Sequence, residues 1–370
     1  MRIPAIAVMT AIVAVSGASA DEMKAPTPNT TADPSASMGQ PVTEADLEKF
    51  RKARTGTLRI TAPAPQKFRS APPKLTVESF ARVTRTASGE TSKAEAAPGT
   101  QDSLDKLQDA AKSMNRSGLQ RRRVDAGDLE LEDESARANR TIVGTDDRVQ
   151  VTPTNQYPFS SLGFIYSEFE DGTAGGCSGA LIAPNLVLTA AHCVYRTETS
   201  QWASFVGFIP ALDDKNAPYG QFVAEQWTIT QGYLDQAGKE YGYDHLFHDV
   251  AVVELKEPAG KATGWLAYGF DDSLPGFHAN IIGYPGDKPQ GTMWRASCPI
   301  DPNFIAPSLF EMECDTYEGS SGAAIYAYYK DRDDRVIYGV NIAGTDKYNY
   351  GVRITGPYFD YIKTFSNPKQ

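Results

Sequence analysis

Histidine and cysteine are scarce in this chain of 370 residues, which has four of each. No two cysteines form a Cys-x-x-Cys pair, so the usual spacing of a structural zinc site is missing. No acidic loop has a recognisable calcium-ligand spacing. Long apolar runs are also missing, with one exception at residues 3–15, which is too short to cross a bilayer as a helix. That run follows Arg2 and precedes Ala18, Ser19 and Ala20, the pattern of an export signal (residues 1–20) cleaved before Asp21. Nothing in a composition with net charge −10 and 41% hydrophobic residues suggests nucleic acid or membrane as a partner.

Further absences divide the chain. Residues 21–140 contain no cysteine, tryptophan or tyrosine. They carry 20 Lys and Arg against 18 Asp and Glu, whereas residues 141–370 carry 15 against 28. Aromatic residues supply much of a core's buried area, so the core is expected after residue 140. The first segment reads as a largely irregular pro-region, with residues 104–111 amphipathic enough for a short helix. It is either a plain linker or a segment that covers the active site or assists folding. Two processing points are expected, the basic run Arg121, Arg122, Arg123 and the junction at Asn139, Arg140, Thr141.

The second segment has a β pattern. Short apolar runs recur at residues 181–182, 186–188, 250–255, 281–282 and 336–342, separated by Gly, Pro, Asn and Asp. This implies an all-β barrel or sandwich. Near the end, Phe359, Ile362 and Phe365 recur at helical spacing, which predicts a short closing helix over 357–366. Export to an oxidising compartment favours paired cysteines, and spacing favours Cys177 with Cys193 and Cys298 with Cys314. Each bridge closes a loop worth roughly 3 kcal/mol on the chain-entropy model.

Three sites carry chemistry. In Leu188-Thr189-Ala190-Ala191-His192-Cys193 an apolar strand ends in small residues that let the backbone pack behind an imidazole. In His248-Asp249-Val250 an aspartate immediately precedes a buried strand, a place from which it can orient that imidazole. Asp244 is its rival. His245 and His248, three apart in a polar loop, read as solvent-exposed rather than as metal ligands. In Gly319-Ser320-Ser321-Gly322 a tight turn presents a hydroxyl and aims the N–H groups of Gly319 and Ser321 at an oxyanion. The Gly-x-Ser-Gly register selects Ser321 over Ser320. Together His192, Asp249 and Ser321 form a candidate catalytic triad for acyl transfer without a cofactor or metal.

These motifs, in the order His, Asp, Ser, resemble those of the chymotrypsin-like serine proteases, and more narrowly the bacterial glutamyl endopeptidases. The resemblance runs from about Thr141 to Phe365. It includes Ile142 to Arg148, then Ile282-Gly283-Tyr284-Pro285-Gly286-Asp287-Lys288, Gly291-Thr292-Met293-Trp294, and Tyr350-Gly351-Val352-Arg353-Ile354-Thr355. It implies two six-stranded barrels, the first over about 141–260 and the second over about 261–355, with the active site between them. A trypsin-style ion pair between a freed N-terminus and the residue before the nucleophile is excluded, because that residue is Ser320. In the resembled family the new amine lies near the specificity pocket instead.

The family reads a glutamate side chain with a threonine five residues before the nucleophile and a histidine on the adjoining strand. Thr316 matches the first, and Asn341 stands at the second. Asparagine donates a hydrogen bond but carries no charge. Two alternatives stay open: cleavage after Glu or Asp with help from the N-terminal amine, or a preference for Gln or another small polar residue. The leading expectation is a secreted, monomeric serine endopeptidase acting on proteins or peptides and docking its own pro-region. The alternatives are an esterase and a catalytically silent binding protein on the same fold.

Overall fold

The structure is a computed structural model that describes residues 24–25, 33, 38–55, 75–116, 140–239, 242–272, 276–344 and 348–366. The expected export signal and the basic run 121–123 lie outside the described residues. So does Asn139 of the second processing point.

Six strands close the first barrel. They run in the order Phe222–Thr230, Ala251–Leu255, Leu186–Thr189, Ala174–Ala183, Leu162–Phe169 and Gln201–Pro210. The last pairs back with the first at Gly207–Val223 and Phe208–Phe222. Its interior is apolar because β-branched and aromatic residues dominate these strands; Trp227, Ile229, Val252 and Val253 are all buried. The second sheet carries Trp294–Ile300, Phe277–Gly283, Ala324–Tyr329, Asp334–Gly344, Asn349–Arg353 and Leu309–Met312 in that order. Ile281, Ile325 and Phe310 fill it. Both expected disulfides form, Cys177–Cys193 and Cys298–Cys314.

The closing helix spans Gly356–Ser366. Pro357 sits in its first turn, where a missing N–H costs no bond. The helix returns to the first barrel, where Tyr358 Oη donates to the Phe247 carbonyl at 2.7 Å and Tyr361 Oη to that of Thr228 at 3.0 Å.

The segment before residue 140, read as largely irregular, supplies more order than its composition suggested. The expected helix at 104–111 lies inside a longer one, Thr100–Arg116, with Leu104 and Leu107 buried and the closing helix as its neighbour. A second helix, Glu44–Thr55, starts at a reciprocal cap between Thr43 and Asp46. It buries Leu47, Phe50 and Ala53; the Phe50 ring lies 5.0 Å from that of Tyr166 on the first barrel. A hairpin of Arg82–Thr86 and Thr91–Ala94 adds two strands to the first sheet beside Phe222–Thr230. The reason is borrowed burial: among the described residues each element buries only one to three apolar side chains, and the first barrel and the closing helix supply the facing surface.

Candidate active site

Strand pairing brings the first two site residues together. Leu186–Thr189 and Ala251–Leu255 run antiparallel with Thr189 opposite Ala251. The residues just after Thr189 and just before Ala251 therefore emerge at the same end. His192 sits in a 3-10 turn there, 3% exposed, and Asp249 is fully buried. One Asp249 oxygen accepts the His192 backbone N–H at 2.9 Å, and the other lies 2.6 Å from Nδ1. A carboxylate only accepts, so in the neutral ring Nδ1 bears the proton and Nε2 keeps its lone pair. The rival Asp244 is exposed.

His245 and His248 are buried, not solvent-exposed as expected. The physical reason is packing from outside the loop. Tyr233 stands edge-on to His245, and Phe80 of the preceding segment stands edge-on to His248. Burial and the neighbouring His245 push His248 down to about 4. Among the described residues, the one cluster of candidate metal-binding atoms is Cys177, His192 and Cys193. Its two sulfurs are joined to each other, which spends the thiolates a metal would need.

Ser321 lies on the second sheet's side of the cleft, in the turn before Ala324–Tyr329. It is partly exposed, whereas Ser320 is 5% exposed. Its carbonyl accepts the Ser178 N–H at 2.8 Å. Gly322 follows with φ +83, and a Cβ there would stand 2.1 Å from Thr189 Oγ1 and 2.2 Å from the Ser178 carbonyl. Only glycine lets the serine turn come this close to the strand that leads into His192.

The turn is tied down at each carbonyl. Gly286 N–H donates to the Glu318 carbonyl at 2.6 Å. Ser178 Oγ donates to the Gly319 carbonyl at 2.8 Å and accepts the Tyr284 N–H at 3.0 Å. Asn341 Nδ2 donates to the Ser320 carbonyl at 3.0 Å. Thr316 is buried, and its two-residue strand Thr316–Tyr317 pairs with Arg140–Thr141.

Two stretches quoted for their resemblance also meet here. Arg148, buried, pairs with Asp146 through Nε and Nη2, each at 2.9 Å, and with Asp287 through Nη1 at 3.0 Å and Nη2. Lys288 Nζ reaches Asp146 at 2.5 Å. The hydrogen bond from Arg148 holds the Asp146 carboxyl well below the usual carboxylate range, against the opposing effect of burial. Asp315 accepts the N–H groups of Val143 at 2.7 Å and Asp147 at 3.1 Å. Sequence patterns marked both stretches but gave no sign that they join.

Residues 177–332 match the family model of the trypsin-like peptidase domain. Over 238 residues the chain is 31% identical to a glutamyl endopeptidase of Bacillus licheniformis, covering 62% of this chain and 71% of that protein. The chain belongs to the glutamyl endopeptidase family of trypsin-like serine peptidases. It is also 28% identical over 230 residues to a Bacillus subtilis protein named extracellular metalloprotease, covering 61% of this chain and 70% of that one. A solved Glu endopeptidase structure matches with a TM-score of 0.52 and 26% identity, covering 60% of this chain and 98% of that chain. The double-barrel fold follows from this match and from the strand order above. As a member of this family, the chain is an enzyme that acts on protein or peptide substrates.

Proposed function

We propose that this peptidase is an endopeptidase that works by acyl transfer, with Ser321 as nucleophile, His192 as general base and acid, and Asp249 orienting His192. The observation that carries this reading is the two-point hold of Asp249 on His192 at 2.9 and 2.6 Å. It fixes the tautomer whose lone pair faces away from the carboxylate, and it stabilises the imidazolium once the serine proton arrives. Ser321 then attacks the scissile carbonyl. The N–H groups of Gly319 and Ser321 take the developing oxyanion, His192 returns the proton to the leaving amine, and water repeats the cycle on the acyl-enzyme.

The residue before the scissile bond is read by a pocket that includes Thr316. Asn341 adds only a neutral donor: one Nδ2 hydrogen goes to the Ser320 carbonyl, and Oδ1 is a buried acceptor without a hydrogen-bond partner. Among the described residues, no Lys, Arg or His side chain hydrogen-bonds Thr316 or Asn341. A carboxylate entering this pocket loses hydration, and the charge offered in return is the amine freed at Thr141, whose strand pairs with Thr316–Tyr317. Glu and Gln are therefore both accepted, with a Glu:Gln ratio within about tenfold.

Residues 21–140 are the pro-region and 141–370 the catalytic unit, with the first barrel ending near 260. The two disulfides fit export to an oxidising compartment. Among the described residues, no helix is long and apolar enough to cross a membrane. The enzyme acts as a monomer. Mapping cleavage of a denatured protein by mass spectrometry tests the chemistry and the pocket together, with Ser321→Ala in parallel. Cuts that vanish in the variant support the triad, and the residues before the cuts test the pocket.

A further inference from the structure

In a trans peptide the C=O and N–H point in opposite directions. An oxyanion donor can therefore be aimed by holding the carbonyl of its own peptide from the far side. The Gly319 N–H belongs to the peptide whose carbonyl is that of Glu318, and this carbonyl accepts the Gly286 N–H at 2.6 Å. The Ser321 N–H belongs to the peptide whose carbonyl is that of Ser320, which takes the Ala323 N–H at 3.0 Å and Asn341 Nδ2 at 3.0 Å. Both donors are thus presented by peptides anchored at the back.

The two anchors have different supports. Asn341 is 3% exposed on the strand Asp334–Gly344, and its own backbone is fixed by bonds with Gly322 and Ala323. Its amide donates to the Ser320 carbonyl at 3.0 Å. Gly286 sits in a loop with no regular structure of its own. The next residue, Asp287, takes both terminal nitrogens of the buried Arg148, and Arg148 is held in turn by Asp146. This charged cluster fixes the loop whose N–H grips Glu318.

We propose that Asn341 and the Arg148–Asp287 pair are positioning residues that preset the oxyanion hole by holding its two peptides from behind. The inference rests on the reading of Ser321 as nucleophile. It assigns Asn341 to the rate of acylation and not to the choice of substrate side chain. It also gives a task to the charged residues at 146–148 and 287, which the triad leaves unused.

The test compares Asn341→Leu and Asp287→Asn with the unsubstituted enzyme. Four things are measured: kcat and KM on one peptide, the residues preceding the cuts in a protein digest, the affinity of a peptide aldehyde whose adduct oxygen occupies the hole, and the melting temperature. Removing an entire oxyanion donor costs about 10²–10³ in kcat, so a misaimed one is expected to cost about 10- to 100-fold. In both variants kcat and aldehyde affinity fall together, KM moves by less than about threefold, and the residues before the cuts stay the same. If Asn341→Leu redirects the cuts while keeping kcat, Asn341 reads the substrate and the proposal fails. Unchanged kcat and aldehyde affinity in Asp287→Asn overturn the charged arm. Should Asn341→Leu not melt cooperatively, Asp287→Asn decides, since its side chain is partly exposed and the substitution leaves no cavity. Failure of the unsubstituted, processed enzyme to cleave any substrate would instead overturn the triad reading.

Discussion

Phe80, from the segment ahead of the barrels, meets the ring of His248 edge-on at 6.0 Å between centroids, and His248 is the residue before Asp249. Phe80 also stands 5.1 Å from the Tyr358 ring on the closing helix and is fully buried. One side chain of this preceding segment thus joins the aspartate loop to the closing helix.

Phe80→Ala is expected to destabilise the enzyme by about 3–5 kcal/mol, the usual range for emptying a buried phenylalanine site. Thermal melting of the uncut chain checks this. A shift no larger than that of a surface substitution would mean that the segment does not pack behind the aspartate loop.

Acid should loosen the same region. His248 is buried, its Nδ1 has no hydrogen-bond partner, and its pKa is pushed down to about 4 by burial and by His245. Burial also lowers His245, with Asp249, Glu198 and Asp244 acting the other way. An unfolded histidine titrates near 6.5, so below that pH the unfolded chain binds more protons than the folded one. Stability is full above about 6.5 and falls as pH drops toward 4, by about 3 kcal/mol for His248 alone. Melting curves between those pH values measure the slope, and His248→Gln should flatten it. An equal slope in the variant would place the acid sensitivity elsewhere.

Gly322→Ala should disable the enzyme more than any substitution of similar size. The added carbon meets Thr189 Oγ1 at 2.1 Å and the Ser178 carbonyl at 2.2 Å, at a φ of +83. Backbone strain of about 1–3 kcal/mol and overpacking of a similar size combine to displace Ser321. Active-site titration with an acylating inhibitor should find few competent molecules. Full titration with normal kinetics would show that the two sheets meet less closely at this point.

Part of the local geometry was legible from residues alone. The approach of Asp249 to His192 followed from an aspartate placed just before a buried strand, and both disulfides followed from spacing. The closing helix followed from Phe359, Ile362 and Phe365. The hairpin Arg82–Thr86 and Thr91–Ala94 did not show, because of its residues only Val83 is buried and its strand character comes from pairing with Phe222–Thr230. His248 looked exposed because the ring that covers it, Phe80, lies far away in sequence. The direction of the Asn341 amide was equally hidden. The sequence shows an amide donor, and only the fold shows the Ser320 carbonyl within its reach. Arg148 and Asp287 stood out as motif residues, but motifs carry no sign of a partner 139 residues away.

The decisive measurement is the digest of a denatured protein by the processed enzyme and by Ser321→Ala, with every cut mapped by mass spectrometry. An enzyme acting through Ser321 gives abundant cuts, concentrated after Glu and Gln, that fall by about 10⁴–10⁶ in rate when the hydroxyl is removed. Equal cleavage by both proteins, with the fold intact, would contradict the assignment of Ser321.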